Sequence, residues 1–255
     1  MTFKHFVLTR FNLPLGVWQK DKHNHATNTA AWLEQRVELF KTYCLPTMTT
    51  QSTTDFIWIV LFWDQSPEYV RQMNEELKQQ HPFYVPCYLS EEQAKHPVDY
   101  VNEMIKHYVE PDTQYVLTTR MDNDDALAVD AIEEIQRCAQ TTEFRQTYII
   151  NLLKGIQYYP QYNISLLLDW KENHYCTMVE KVSDHYTTVN SFNHVKVYDS
   201  YPVVLAGKDR TMWMEVCHGS NVSNDVHTAW ALKPLRHAFE CERFRITPPI
   251  RGIAS

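Results

Sequence analysis

A chain of 255 residues, 44% hydrophobic and 22% charged, has room for one large domain or two small ones around a substantial core, which excludes disordered and fibrous classes. Its 31 Asp and Glu outweigh 24 Lys and Arg, for a net charge of −7, and no long basic run occurs, so general nucleic-acid binding is excluded too. Five glycines form neither a Gly-x-Gly-x-x-Gly loop nor a Walker loop, the two common nucleotide cradles.

Phe6-Val7-Leu8 reads as a first strand ending at Thr9-Arg10-Phe11-Asn12, and Leu13 to Asn28, with Pro14 and Gly16, reads as a loop. A helix is predicted from about Ala30: Leu33, Val37, Phe40 and Cys44 recur on one face, Thr29 can cap it and Pro46 should stop it. Phe56 to Phe62 is apolar throughout, the pattern of a strand buried on both faces of a parallel sheet. Asp64 follows it. Ser66-Pro67-Glu68 then has the form of a helix cap, before an inner face of Val70, Met73 and Leu77. Phe83-Tyr84-Val85 is a third strand, and Pro97 opens a helix with Val101, Met104, Ile105, Tyr108 and Val109 inside. Tyr115 to Leu117 is a fourth strand, and Ile132, Ile135 and Ala139 mark a fourth helix. Four strand–helix alternations in about 140 residues predict a mostly parallel sheet with right-handed crossovers.

After Thr147 the helical spacing gives way to apolar runs, Tyr148 to Leu153, Ile156 to Tyr159 and Ile164 to Leu168, read as strands, some antiparallel. His174 to Val182 fits a short helix or a strand, and Met212 to Val216 fits a last core strand before Cys217-His218-Gly219. No linker or repeat occurs, so one domain with two subregions is expected. MTFKHFVLTRFN has too short an apolar run for a signal peptide, and Phe56 to Trp63 is far short of a membrane span. Cys44, Cys87, Cys138, Cys176, Cys217 and Cys241 form no C-x-x-C, which fits reduced thiols in a cytoplasmic protein.

The chain's most pointed chemistry lies in Tyr115 to Leu127, YVLTTRMDNDDAL, where a buried strand spills Asp122, Asn123, Asp124 and Asp125 at its carboxyl end. Ligands of open α/β sheets bind at such edges. Two readings fit. Asp124 or Asp125 caps a helix beginning near Ala126. Alternatively the three crowded carboxylates, which repel unless a cation or several donors compensate, hold a metal or cationic ligand, Asp122 and Asp124 forming a D-x-D element.

Several segments together resemble the bacterial putative rhamnosyltransferase family of sugar-nucleotide glycosyltransferases. They are Thr9-Arg10-Phe11-Asn12; Trp32-Leu33-Glu34-Gln35-Arg36 with Leu39-Phe40; Cys44-Leu45-Pro46; Gln51 with Phe56-Ile57-Trp58; Thr119 to Ala126; and Trp213 with His218 to Asn224. The resemblance implies an α/β, GT-A-like (Rossmann-like) fold, a mixed, mostly parallel sheet flanked by helices. It implies a nucleotide-binding half at about 1–140 and an acceptor-binding half with the C-terminal tail at about 141–255. Its activity would be transfer of a sugar, rhamnose in the family's description, from a nucleoside-diphosphate sugar to a glycan or lipid-linked carbohydrate acceptor, with Mn²⁺ or Mg²⁺ as cofactor. Asp122, Asp124 and His218 would be metal ligands, and Asp122 alternatively a ribose contact. Arg120 would pair with phosphate or a carboxylate, Thr9, Arg10, Asn12 and Asp64 would meet the nucleotide, and Asp125, counted with the catalytic residues, would contact the sugar or back the metal-binding carboxylates. Glu180, or Asp184, would serve as the base of an inverting transfer. Trp63, Trp170 and Trp213 could stack on sugars or simply pack. No transmembrane segment and no nucleic-acid partner are expected, and peripheral membrane contact stays open. Two other classes compete: a metal-dependent phosphohydrolase using Asp122 and Asp124, and a non-catalytic carbohydrate-binding protein.

Overall fold

Two sheets build the molecule, and their strands explain where the acidic turn ends up. The computed structural model describes residues 1–15, 26–143, 146–162, 164–191, 194–218, 231–236 and 241–246. The first half contributes β1 (Phe3–Arg10), α1 (Ala30–Leu39), α2 (Leu45–Thr49), β2 (Ile57–Trp63), α3 (Glu68–Gln80), β3 (Tyr84–Leu89), α4 (Glu91–Lys95), α5 (Pro97–Tyr108) and β4 (Tyr115–Arg120). Then follow β5 (Ala126–Leu127), α6 (Ala131–Thr141), β6 (Tyr148–Leu152), β7 (Lys154–Tyr159), β8 (Ile164–Asp169), β9 (Cys176–Lys181), α7 (His194–Ser200), β10 (Val203–Ala206), β11 (Trp213–Val216), β12 (Ala231–Arg236) and α8 (Cys241–Phe244).

The seven-stranded sheet runs β10-β6-β9-β4-β1-β2-β3. The pairs among β4, β1, β2 and β3 are parallel, as is β10 with β6, while β9 runs antiparallel to both β4 and β6. The fold is thus α/β with a mixed, mostly parallel sheet flanked by helices, as expected. The apolar run of β2 is explained by burial on both faces. Trp58, Val60 and Phe62 join one core with α1, α3 and α6, and Ile57, Ile59 and Leu61 join the other with α4 and α5. A second sheet, β12-β8-β7-β11-β5, packs its Ile156, Tyr158 and Trp213 into the first of these cores. The two residues of β5 pair antiparallel with Trp213 and Met214 of β11. The chain from 115 to 127 therefore leaves one sheet, makes the acidic turn and enters the other.

Several expectations are corrected. Ala126 is not the start of a helix but part of β5; α6 begins only at Ala131, so neither Asp124 nor Asp125 is its cap. Thr29 does cap α1, accepting from the Trp32 N–H. Pro46, however, does not end the helix: Phe40–Cys44 widens into a π-helical turn that leads straight into α2. Pro46 falls in the first turn of α2, directly after the π-helical turn. Ser66 makes no cap for α3 because its hydroxyl is buried against Asn12. The capping box lies at Ser90 and Gln93 of α4 instead. Met212 to Val216 is not the last strand, since β12 follows and closes on β8. His174 to Val182 resolves into β9 behind a short polar lead-in. Cys44, Cys87, Cys138, Cys176 and Cys217 are free and buried. Among the described residues no helix is long and apolar enough to cross a membrane.

Candidate active site

β4 ends at Arg120, and the ladder to β1 continues one step further through the Met121 N–H and the Leu8 carbonyl, 3.1 Å. That step aims the acidic turn out of the carboxyl edge. Asn123 faces inward and stitches the turn to the end of β1, its Nδ2 donating to the carbonyls of Arg10 (2.7 Å) and Phe11 (3.0 Å). The three aspartates are thereby splayed onto three different sets of partners.

Asp122, the most exposed of the three, is gripped by Arg120, whose Nε and Nη2 donate to Oδ1 and Oδ2 at 3.2 and 2.9 Å. This is the two-pronged geometry that suits guanidinium and carboxylate. Asp124 is buried. Its Oδ2 meets Arg36 Nη1 from α1 at 2.5 Å and His218 Nε2 at 2.9 Å. Asp125 is 2% exposed: Oδ1 accepts the Val216 N–H (2.9 Å), Oδ2 accepts the Tyr175 hydroxyl (2.8 Å), and His174 Nε2 lies 3.3 Å from Oδ2. Through Val216 this carboxylate fastens the turn to β11.

The electrostatics divide accordingly. Burial pushes the Asp122 carboxyl up, but Arg120 and His174 outweigh it and hold the group below the usual carboxylate range. For Asp124 burial is likewise overcome, by Arg36 and His218, leaving the carboxyl at about 2. Asp125 goes the other way: burial, then the charges of Asp124 and Asp122, lift it well above the ordinary value. Behind it, Glu215 of β11 is raised by burial to about 7, with His174 opposing the rise, and it accepts from Gln157 Nε2 at 2.7 Å. Burial lowers His174 against the pull of Asp122.

Of the residues expected at the site, the structure brings Asp122, Asp124, Asp125, Arg120 and His218 together. Arg10 lies at the end of the neighbouring strand, where burial and then Arg120 lower its guanidinium to about 10. Thr9 and Asn12 are spent inside the protein. Thr9 Oγ1 accepts from Trp58 Nε1 at 2.9 Å, and Asn12 joins Ser66 (3.0 Å) to the Trp63 N–H (3.1 Å). Asp64 is exposed past β2, its carbonyl accepting from Arg71. Glu180 is not part of the site. It pairs with Val116 near the start of β4, the edge opposite the acidic turn, and its carboxylate accepts the N–H groups of Thr187 and Thr188. Asp184 is exposed three residues beyond β9. Trp213 is buried and stacks on Tyr175, ring centroids 4.9 Å apart, whereas Trp170 stands edge-on to His174 beside an open cavity of about 260 Å³. Gly219 to Asn224, part of the resemblance, lies outside the described residues.

Sequence reasoning missed Arg36, His174, Tyr175 and Glu215. Two of them carried a signal. Arg36 falls on the same helix face as Leu33 and Phe40, and Glu215 interrupts an apolar strand; buried charge in a core pattern marks a partner.

The donor set suits a divalent cation: one ligand atom each from Asp122, Asp125 and His174 lie within 4.8 Å of one another. Two carboxylates and an imidazole are ordinary ligands of Mn²⁺, and carboxylates alone of Mg²⁺. The family described as putative rhamnosyl transferase matches residues 4–229. The chain belongs to that family. No curated protein matches it. Among solved structures, this rhamnosyl transferase family member is similar to S. aureus TarS 1–349, at 11% identity and a TM-score of 0.46, over 85% of this chain and 60% of that one. The same protein in complex with UDP matches at 11% identity and a TM-score of 0.46, over 85% and 61%. A protein from Desulfovibrio desulfuricans G20 described as a putative nucleotide-diphospho-sugar transferase matches at 7% identity and a TM-score of 0.37, over 87% and 84%. The chain thus spans about three fifths of the TarS 1–349 chains it matches.

Proposed function

We propose that this family member is a metal-assisted glycosyltransferase that moves a sugar, rhamnose in the family's description, from a nucleoside-diphosphate donor to a carbohydrate acceptor. The observation that carries the reading is the acidic turn: it leaves the carboxyl edge of the sheet with Asp122, Asp125 and His174 clustered at metal-ligand spacing. Family membership supports the reaction type.

A divalent cation bound there would neutralise the diphosphate as the sugar–phosphate bond breaks. The chain's own residues do the rest. Arg120 and Arg10 put two guanidiniums at the ends of adjacent strands, and their mutual repulsion is relieved by an anion such as a diphosphate. Asp125 holds the turn on β11, so the carboxylates keep one geometry. Trp170 and its cavity, flanked by Asp169, Lys171 and Glu172, offer an aromatic face with polar edges, a surface suited to an acceptor sugar. In this reading the donor sits on residues of the first half and the acceptor on those of the second.

Calorimetric binding of UDP and dTDP in Mn²⁺, Mg²⁺ or EDTA tests the donor side, and radiolabelled sugar nucleotides test transfer. Nucleotide at a hundred times its dissociation constant should stabilise the fold by about 2.7 kcal/mol. Nucleotide binding indifferent to EDTA would sink the metal. Release of inorganic phosphate without sugar transfer would favour a phosphohydrolase instead.

A further inference from the structure

We propose that Asn173 is the positioning residue of the candidate metal centre: its buried amide bends the lead-in to β9 so that the His174 imidazole faces Asp122 and Asp125. The inference rests on the metal-assisted reading above.

Adjacent residues of an extended chain point to opposite sides. His174 and Tyr175 converge instead. His174 Nε2 lies 3.3 Å from Asp125 Oδ2 and 4.0 Å from Asp122 Oδ2. The Tyr175 hydroxyl donates to the same Asp125 oxygen at 2.8 Å, and the two rings lie 4.1 Å apart, 36° from parallel. A bend lets neighbours meet in this way, and the chain bends at His174, just ahead of β9.

Asn173 holds that bend. It is fully buried, and its Oδ1 accepts the Tyr175 N–H at 2.8 Å, closing a tight loop around His174. Its Nδ2 lies within hydrogen-bond reach of the carbonyls of Trp170 (2.7 Å) and Leu152 (2.8 Å) and of Asn151 Oδ1 (3.1 Å). Its own carbonyl accepts the Tyr198 hydroxyl from α7 at 2.6 Å. One residue thus joins the turn before His174, the residue after it, the end of β6 and a helix. A buried amide engaged on both sides keeps one geometry, because any rotation leaves polar groups unmet.

The consequence is for metal binding. An imidazole serves a cation only when a ring nitrogen is aimed at it, and supports that aim a ligand are worth about ten- to a hundredfold in metal affinity. Asn173 supplies this support through the backbone and touches no ligand atom. It also holds Trp170, whose N–H bonds the Leu153 carbonyl at 2.9 Å and whose ring stands edge-on to His174, centroids 6.1 Å apart. The same clasp therefore fixes the imidazole and the aromatic wall of the neighbouring cavity.

The test is Mn²⁺ binding in the presence of UDP, read by calorimetry and by the imidazole-nitrogen modulation of the Mn²⁺ electron spin echo. Wild type should show that modulation, and His174→Ala should abolish it, assigning it to this ring. Asn173→Ala should weaken Mn²⁺ binding by about ten- to a hundredfold and diminish the modulation. Asn74→Ala is the control: Asn74 is equally buried and clasps the Tyr84 and Tyr88 hydroxyls on the far side of the sheet. It should lower the melting temperature and leave Mn²⁺ affinity and modulation as in wild type. If Asn173→Ala does not fold, Tyr198→Phe, which removes only the hydroxyl on the Asn173 carbonyl, decides, with a smaller change in the same direction. A folded Asn173→Ala or, in its place, Tyr198→Phe with wild-type affinity and modulation overturns the role of Asn173 and leaves the metal reading standing. So does a modulation that survives in His174→Ala, or an Asn74→Ala protein that loses Mn²⁺ affinity equally. Wild type that binds no Mn²⁺ with UDP removes the metal reading and the inference together.

Discussion

Glu215 offers a measurement of how dry the floor of the site is. It lies on β11, 2% exposed, with one oxygen taking the Gln157 amide at 2.7 Å. Burial first, and the nearby Asp125 charge, raise its carboxyl from 4.5 to about 7, with His174 pulling the other way. In the unfolded chain the group ionises near its ordinary value, so between about pH 4.5 and 7 the folded form holds the extra proton. Stability contributed by this group therefore falls as pH rises through that window. At about 1.4 kcal/mol per pH unit, the loss is about 3 kcal/mol once the group is ionised in both states. Glu215→Gln keeps the shape and removes the titration. Urea denaturation in EDTA, from pH 4 to 8.5, should show equal stabilities near pH 4 and a variant about 3 kcal/mol more stable at pH 8. Parallel curves for the two proteins would refute the reasoning, because they would mean that Glu215 ionises as easily folded as unfolded.

Asp122→Asn should lower the Mn²⁺-dependent part of UDP binding by at least about tenfold, read by calorimetry with and without EDTA. Glu180→Gln should leave turnover unchanged, since its carboxylate is tied to Thr187 and Thr188 at the far edge of the sheet; a large rate loss in a folded variant would bring it back into the mechanism. Asn12→Ala removes the clasp joining Ser66 to the Trp63 N–H and should cost about 1–3 kcal/mol, visible as a lowered melting temperature. Gly155→Ala would set a methyl 2.0 Å from the Trp213 ring and should cost about 1–3 kcal/mol or more, with altered tryptophan fluorescence.

The parallel half of the fold was legible because its strands are long apolar runs and its helices repeat their apolar faces. Leu33 and Val37 on α1, Phe40 at the start of the π-helical turn, and Val70, Met73 and Leu77 on α3 are all buried where the spacing puts them. What escaped were features set by distant pairing. β5 is two residues long and exists only because β11 offers Trp213 and Met214, so the acidic residues looked like a helix cap. The compensation of the three carboxylates was equally hidden, since Arg36 lies 88 positions from Asp124, and Tyr175 lies 50 from Asp125. Crowded carboxylates announced that something must balance them, but a linear pattern could not tell a metal from arginines arriving from elsewhere. Glu180 failed for a simple geometric reason: β9 runs antiparallel to β4, so moving along it from Cys176 leads away from the site.

The passage of residues 115 to 127 from one sheet to the other has a mechanical meaning. The turn acts as a rivet line: Asn123 pins it to β1, and Asp125 pins it to β11. A ligand that tightens the carboxylates therefore tightens the joint between the sheets, and its binding energy is shared by amides far from the contact. Amide hydrogens of β4, β9 and β11 should slow their exchange together when Mn²⁺ and a nucleoside diphosphate bind. The two sheets would then open as a single cooperative unit rather than one at a time.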